Sequence, residues 1–251
     1  MEHFLLGAYW QNRTYTARQF IEAVYAFLSE LRKVSPLFSN LCVTSESGPL
    51  PIPDDLPSFV QTMMTTLEDP ESSYTNPDPS NHSFGEESTL AEGFVASLSG
   101  CDINATDETA ISILISAGAH GHANATGSSV VKLPPTASAL VSDSVRLFAL
   151  LTPAIHAWSP EFATITSREL LKAMDPRRRY RRPFGSIMYY SNPGGQRLIT
   201  EIPNAKIVHQ KEGNGTVVSF DVSLPWKESS DILKPAFNKL SETGLLLLTN
   251  R

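Results

Sequence analysis

The chain has 251 residues and only two cysteines, Cys42 and Cys101. Two are too few for a disulfide framework, and their separation matches no metal-ligand spacing. The cytoplasm is therefore the expected compartment. No apolar run reaches the roughly 18 residues a membrane-spanning helix needs, so no segment is expected to cross a bilayer. The opening "MEHFLLGAYWQNR" begins acidic, has a short apolar stretch and lacks a small-residue cleavage site, so it does not read as a signal peptide. There is no G-x-x-x-x-G-K-S/T and no G-x-G-x-x-G, which removes the usual phosphate cradles. Neither a G-x-S-x-G nucleophile elbow nor an H-E-x-x-H helix occurs. Catalysis has no visible anchor, and the chain is not expected to be an enzyme or to carry a cofactor.

The sharpest absence concerns one sign of charge. Between Lys33 and Lys132 there is no Lys or Arg, while 13 Asp and Glu fall in that stretch. The other segments hold all 20 basic residues and the remaining 13 acidic ones. One part of the chain is thus strongly acidic and the rest mildly basic, although the net charge is only −6. A solvated acidic face is the bland reading. The functional one is a surface for a basic partner, since opposite fields steer association and suppress wrong partners. Such a stretch argues against direct nucleic-acid binding there.

What is present reads as α+β. A strand is expected over His3–Tyr9. "TARQFIEAVYAFLSELRKVSPLF" predicts an amphipathic helix, with Thr16 and Gln19 as a capping box. Phe20, Val24, Leu28 and Leu31 recur at helical spacing, and Ser35-Pro36 ends the run. A shorter helix is expected over Pro57–Leu67, then a long loop over Glu68–Ser88. Strands are expected at Gly93–Leu98, Ala110–Ala117 and Ser129–Leu133. "SDSVRLFALLTPAIHAW" predicts a second long helix, bent at Pro153, and a short segment follows at Ser167–Met174. Further strands are expected at Ser186–Tyr190, Lys206–Gln210 and Thr216–Val222. Gly213-Asn214-Gly215 is a hairpin signal between the last two. Ser230 or Asp231 should cap a final helix through Leu240, with Gly244 in the stop position. Ser-Pro-x-Phe occurs at Ser35–Phe38 and again at Ser159–Phe162. The expectation is a single domain over 1–251 built as two similar halves, 1–135 and 136–251. Each half is a helix packed on a small, mainly antiparallel sheet.

Three local features compete for a functional role. His120 and His122 lie two residues apart, so in an extended chain both face one side. They could supply two zinc ligands, but a zinc site needs three or four and the other histidines (His3, His82, His156, His209) are scattered. No metal site is assigned, and a small metal-dependent hydrolase using His120 and His122 stands as the rival reading. "DPRRRYRRPFG" (Asp175–Gly185) could grip phosphate or a carboxylate-rich partner, or be a solvated loop. Asp54-Asp55 and Glu86-Glu87 are adjacent rather than convergent pairs.

Taken together, several blocks resemble the bacterial immunity protein 52 family. "GAYWQNR" followed by a helix ending "FLSELRKVSPLF" resembles its opening G-A-Y-W-G-x-R and x-D-P-x-F. "GFVASLSGCD", "DETAISILISAGAH" and "SSVVKLPP" resemble its middle strands, and "AWSPEFATITS", "FGSIMYYS" and "GNGTVVSF" its C-terminal blocks. Gln11 stands where glycine is usual, Ser99 near an expected Trp, and Ser186 where Trp is common. The resemblance implies an antitoxin of a type VI or contact-dependent secretion system. Its partner would be a restriction-endonuclease-fold toxin that degrades DNA, with no direct contact to nucleic acid or membrane. An adaptor that helps load the toxin is a third reading. The acidic stretch places the expected toxin-binding residues at Glu86, Glu87, Glu92, Asp102, Asp107 and Glu108. Oligomeric state is left open.

Overall fold

Thr16 and Gln19 close the capping box that the sequence predicts. The Thr16 hydroxyl accepts from the Gln19 backbone N–H at 3.2 Å, and the Gln19 side chain accepts from the Thr16 N–H at 3.0 Å. Two of the amide donors that a helix start leaves unpaired are thereby satisfied. Helix α1 then runs Ala17–Val34. Phe20, Val24, Leu28 and Leu31 are all buried, together with Ile21 and Phe27. Ser35 ends the helix in an extended conformation and its side chain accepts from the Leu37 N–H.

The computed structural model describes residues 2–11, 13–45, 48–67, 85–102, 104–106, 108–119, 126–191, 202–210 and 215–246; of 44, 45 and 207–210 it describes the backbone only. Residues 68–84 of the loop expected over Glu68–Ser88, with His82 among them, and His120, His122, Asp107 and the Gly213-Asn214 turn lie outside these residues. The chain divides into two mixed α+β units. An acidic unit comprises Tyr9–Thr106 and Ala110–Val131, and a C-terminal unit comprises Met1–Ala8, Asp107–Thr109 and Lys132–Arg251. Strand β1 (Phe4–Gln11) runs across the division.

In the acidic unit the strands are β2 (Leu41–Ser45), β3 (Gly48–Pro51), β4 (Phe94–Gly100), β5 (Ser112–Ala117) and β6 (Thr126–Leu133, to Val131 in this unit). Their order is β3-β2-β4-β5-β6, and the β2–β3, β2–β4 and β4–β5 pairs are antiparallel. Helix α2 (Leu56–Leu67) packs beside α1, where Tyr25 meets the Phe59 ring at 5.4 Å and donates its hydroxyl to the Asp54 carbonyl at 2.7 Å. Phe20 of α1 stacks on Phe94 of β4 at 5.4 Å. The covered face of the sheet is therefore the one carrying Phe94, Ala96, Leu98, Ile113 and Ile115, all at most 2% exposed. Gly93 opens β4 at φ +78°, and a Cβ there would strike the backbone of Ala117 and Ala119.

Cys42 and Cys101 form a disulfide across 59 residues of sequence. The sequence reading leaves them apart and rests its cytoplasmic expectation on that. A bridge of this kind persists in oxidising surroundings, so that ground for the expectation falls away.

The C-terminal unit contains α3 (Ser144–Trp158), β7 (Phe162–Ser167), α4 (Arg168–Met174), β8 (Ile187–Ser191), β9 (Ala205–Gln210), β10 (Gly215–Phe220) and α5 (Ser230–Glu242). Strand order is β1-β7-β8-β10-β9, with β7–β8, β8–β10 and β10–β9 antiparallel. Asp143 caps α3 by accepting from Val145 and Arg146, and the helix continues through Pro153. Every residue of β7 and β10 is buried, so these two strands are covered on both faces, with α3 and α4 packed on β7. Both units contain a helix followed by three strands, but two strands (β2, β3) separate α1 from α2 whereas one (β7) separates α3 from α4. Their sheets differ at the end, since β4-β5-β6 lie in chain order whereas β8-β10-β9 exchange the last two.

The N-terminal segment is built into this unit by a buried carboxylate. Glu2, 8% exposed, accepts from the Ser167 hydroxyl (2.9 Å) and from the backbone N–H groups of Trp226 (2.7 Å) and Lys227 (2.9 Å). Ser167 in turn caps α4 by accepting from Leu170. Phe4 packs edge-on against Trp226 at 5.3 Å. A buried charge costs little only when several donors meet it, and three do here.

Candidate interaction surface

Side chains alternate across a strand, so the face of the acidic unit's sheet turned away from α1 and α2 can be read from the register. On β4 and β5 it carries Val95 opposite Ser116, Ser97 opposite Leu114, and Ser99 opposite Ser112. Ser97 is exposed and Leu114 is 49% exposed, while the chain neighbours Ile113 and Ile115 are buried on the other side. On β6 the less buried set is Thr126, Ser128, Val130 and, at the end of the strand, Lys132. Cys42 lies opposite Ser99, so the disulfide borders the same face. On β2, β4 and β5 these positions are serines, aliphatics and cysteine, with no ionisable carboxylate or cation among them. An open face of an antiparallel sheet ordinarily alternates apolar-in with polar or charged-out. Here the outward set is small and uncharged around one exposed leucine.

Of the six carboxylates expected to bind a toxin, the five that are described do not gather at one point. Glu86, Glu87 and Glu92 lie on the segment entering β4, and Asp102 lies just beyond its end. Seven residues of strand separate these groups by about 23 Å at ~3.3 Å per residue. Glu87, Glu92 and Asp102 are exposed. Glu86 is already engaged: Arg18 pairs with it at 2.8 Å and with Glu22 at 2.6 Å. Glu22 first, then Glu86, hold the Arg18 guanidinium above its ordinary pKa. Asp102 accepts from the Asn104 N–H at 2.9 Å, which fixes the turn after β4. Glu108 is exposed but belongs to the C-terminal unit, where its carbonyl accepts from Thr136. Asp107 lies outside the described residues.

The arginine run is ordered by its own unit. Tyr180 donates its backbone N–H to Asp175 at 3.1 Å, and its hydroxyl pairs with Ser241. Arg182 donates its backbone N–H to Leu246, lies over the Phe162 ring at 5.7 Å and faces Glu161 at 3.9 Å. Arg179 is 3.7 Å from Asp175. Arg177, Arg178 and Arg181 are exposed. Partners within the unit therefore occupy two of the five arginines. Among the described residues no group of three or more His, Cys, Asp or Glu is placed to hold a metal ion. No single helix among them is long and apolar enough to cross a membrane.

The sequence could not have singled out the open face, because its serines and valines carry no motif. Their significance comes from register and from which side the helices cover.

No family model matches the chain, and no curated protein matches it in sequence. Among solved structures it is similar to a protein described as Pseudomonas aeruginosa T6SS protein PA0821. The match is 10% identical in sequence, covers 95% of this chain and 76% of that one, and has a TM-score of 0.56. At this identity the likeness is one of fold.

Proposed function

We propose that this chain is an immunity protein that binds a secreted nuclease toxin and blocks it stoichiometrically, without turnover. The observation that carries the reading is the stretch from Val34 to Val131, with 13 carboxylates and no Lys or Arg. A nuclease must present positive charge to the phosphate backbone. An inhibitor with a concentrated negative field can capture such a surface quickly and selectively. The resemblance of the sequence blocks to the immunity protein 52 family supports the reading. So does likeness in fold to a protein described as belonging to a T6SS. The toxin is accordingly one delivered by a type VI or contact-dependent system, and the inhibitor uses no metal or cofactor of its own.

The test is co-expression with secreted nuclease toxins of type VI and contact-dependent systems, followed by titration of the purified pair. Growth should be rescued and nuclease activity should vanish at a fixed molar ratio near one to one. His120→Ala with His122→Ala should protect equally well. Protection at a small fraction of that ratio, lost together with the histidines, would establish a hydrolase instead.

A further inference from the structure

We infer that the open face of β4 and β5, centred on Leu114, is the surface on which this chain docks its partner. The partner's complementary patch is flat and apolar at its centre and carries Lys or Arg on two opposite sides. This rests on the toxin-binding reading above and assigns that reading a place on the fold.

Three features select the face. It is uncharged where interface cores are depleted of charge. Leu114 is 49% exposed and directly opposite exposed Ser97, so an apolar side chain projects from a level surface of small residues. Acidic segments stand at both ends of β4: Glu87 and Glu92 before it, Asp102 after it. Size explains why both parts are needed. Seven residues of strand by three strands project roughly 23 by 14 Å, about 320 Å². A stable complex buries about 800 Å² on each partner, so the flanking acidic segments must take part.

The charge pattern also decides among occupants. An anionic lipid surface or a nucleic acid would meet carboxylates at both ends of β4 and no cation on β4 or β5. A second copy of this chain, placed face to face in either direction, would set acidic ends against acidic ends. A protein surface bearing cations on both sides of an apolar centre satisfies the pattern. Among the described residues of the C-terminal unit no comparable face is present, since β7 and β10 are buried throughout.

The experiment uses the full chain and, as probe, the nuclease toxin that it neutralises in co-expression, inactivated by substitution of its catalytic residues, with Kd measured by biolayer interferometry. Ser97→Arg and Leu114→Arg should each weaken binding by about 10-fold or more, with unchanged near-UV circular dichroism. Arg177→Glu with Arg178→Glu and Arg181→Glu should leave Kd within about 2-fold, as for residues outside an interface. Hydroxyl-radical footprinting of the unaltered pair should show Leu114 protected, which decides the matter even if a variant misfolds. If the nuclease binds but both face variants bind normally, or Leu114 stays reactive, the assigned face is wrong while the immunity reading stands. If the unaltered chain does not bind the nuclease, both fall. If sedimentation shows the chain dimerising through Leu114, the occupant is a second copy and the inference is overturned.

Discussion

Breaking the Cys42–Cys101 bridge should cost the acidic unit a large part of its stability. The two cysteines are 59 residues apart in sequence, so the bridge closes a loop that includes α2 and the entry to β4. Closing about 60 residues removes roughly 14 cal/mol/K of entropy from the unfolded chain, or about 4 kcal/mol at 25 °C. Within the loop, from Val43 to Gly100, there are ten Asp and Glu and no Lys or Arg. No complementary pairing inside the loop can substitute for the covalent link. With a urea m value of ~1.5–2 kcal/mol per M, the midpoint should fall by roughly 2–3 M. The assay is urea unfolding of the untreated protein, the protein in dithiothreitol, and a Cys42→Ala, Cys101→Ala variant. Alanine is the better replacement for Cys42, which is 1% exposed, because serine would bury an extra hydroxyl. The reduced protein and the variant should shift together, and the C-terminal unit's transition should stay in place. Two thiols titrating in the untreated, denatured protein, or equal midpoints in all three samples, would refute the reasoning.

Two further outcomes can be checked by standard methods. Glu2→Ala leaves the Trp226 and Lys227 N–H groups and the Ser167 hydroxyl without their acceptor. It should destabilise the C-terminal unit by about 3 kcal/mol in chemical denaturation, and a change under ~0.5 kcal/mol would mean that water replaces the carboxylate. Burial raises the Tyr190 phenol above its ordinary value of 10.0. For an acid whose folded pKa is raised, stability is full below pH ~10 and declines by about 1.4 kcal/mol per pH unit above it, because only the unfolded state releases the proton. Absorbance at 295 nm should therefore show a late step that coincides with loss of the fold, and one smooth titration of all tyrosines near pH 10 would contradict the burial.

Elements governed by local chemistry were legible in the sequence. The Thr16–Gln19 box, the buried stripe of α1 and the antiparallel β9–β10 pair all follow from spacing over a few residues. The strands that escaped are instructive. In β3, "GPLP", two prolines hide a strand that sits at the edge of the sheet, where a missing N–H is tolerated. In β7, "FATITS", both faces are buried, so no apolar–polar alternation marks it and it follows α3 almost directly. The disulfide was unreadable because its partners are brought together only by the β2–β4 register. The same holds for the acidic residues. Their carboxylates are obvious one by one, but their division between the two ends of β4 is a property of the fold.

The Glu2 anchor has a consequence for how the protein is made. Unit membership is discontinuous: Met1–Ala8 belongs with Lys132–Arg251, whereas the acidic unit is encoded between them. During synthesis the first residues leave the ribosome long before Trp226, 224 positions later, exists to receive Glu2. The acidic unit can complete itself while β1 still waits for β7. The C-terminal unit can close only once the Trp226 and Lys227 N–H groups that donate to Glu2 have emerged. Truncated products that end before β7 will therefore contain the acidic unit and a strand β1 that lacks its β7 neighbour, and quality control by proteolysis should act on that exposed edge first.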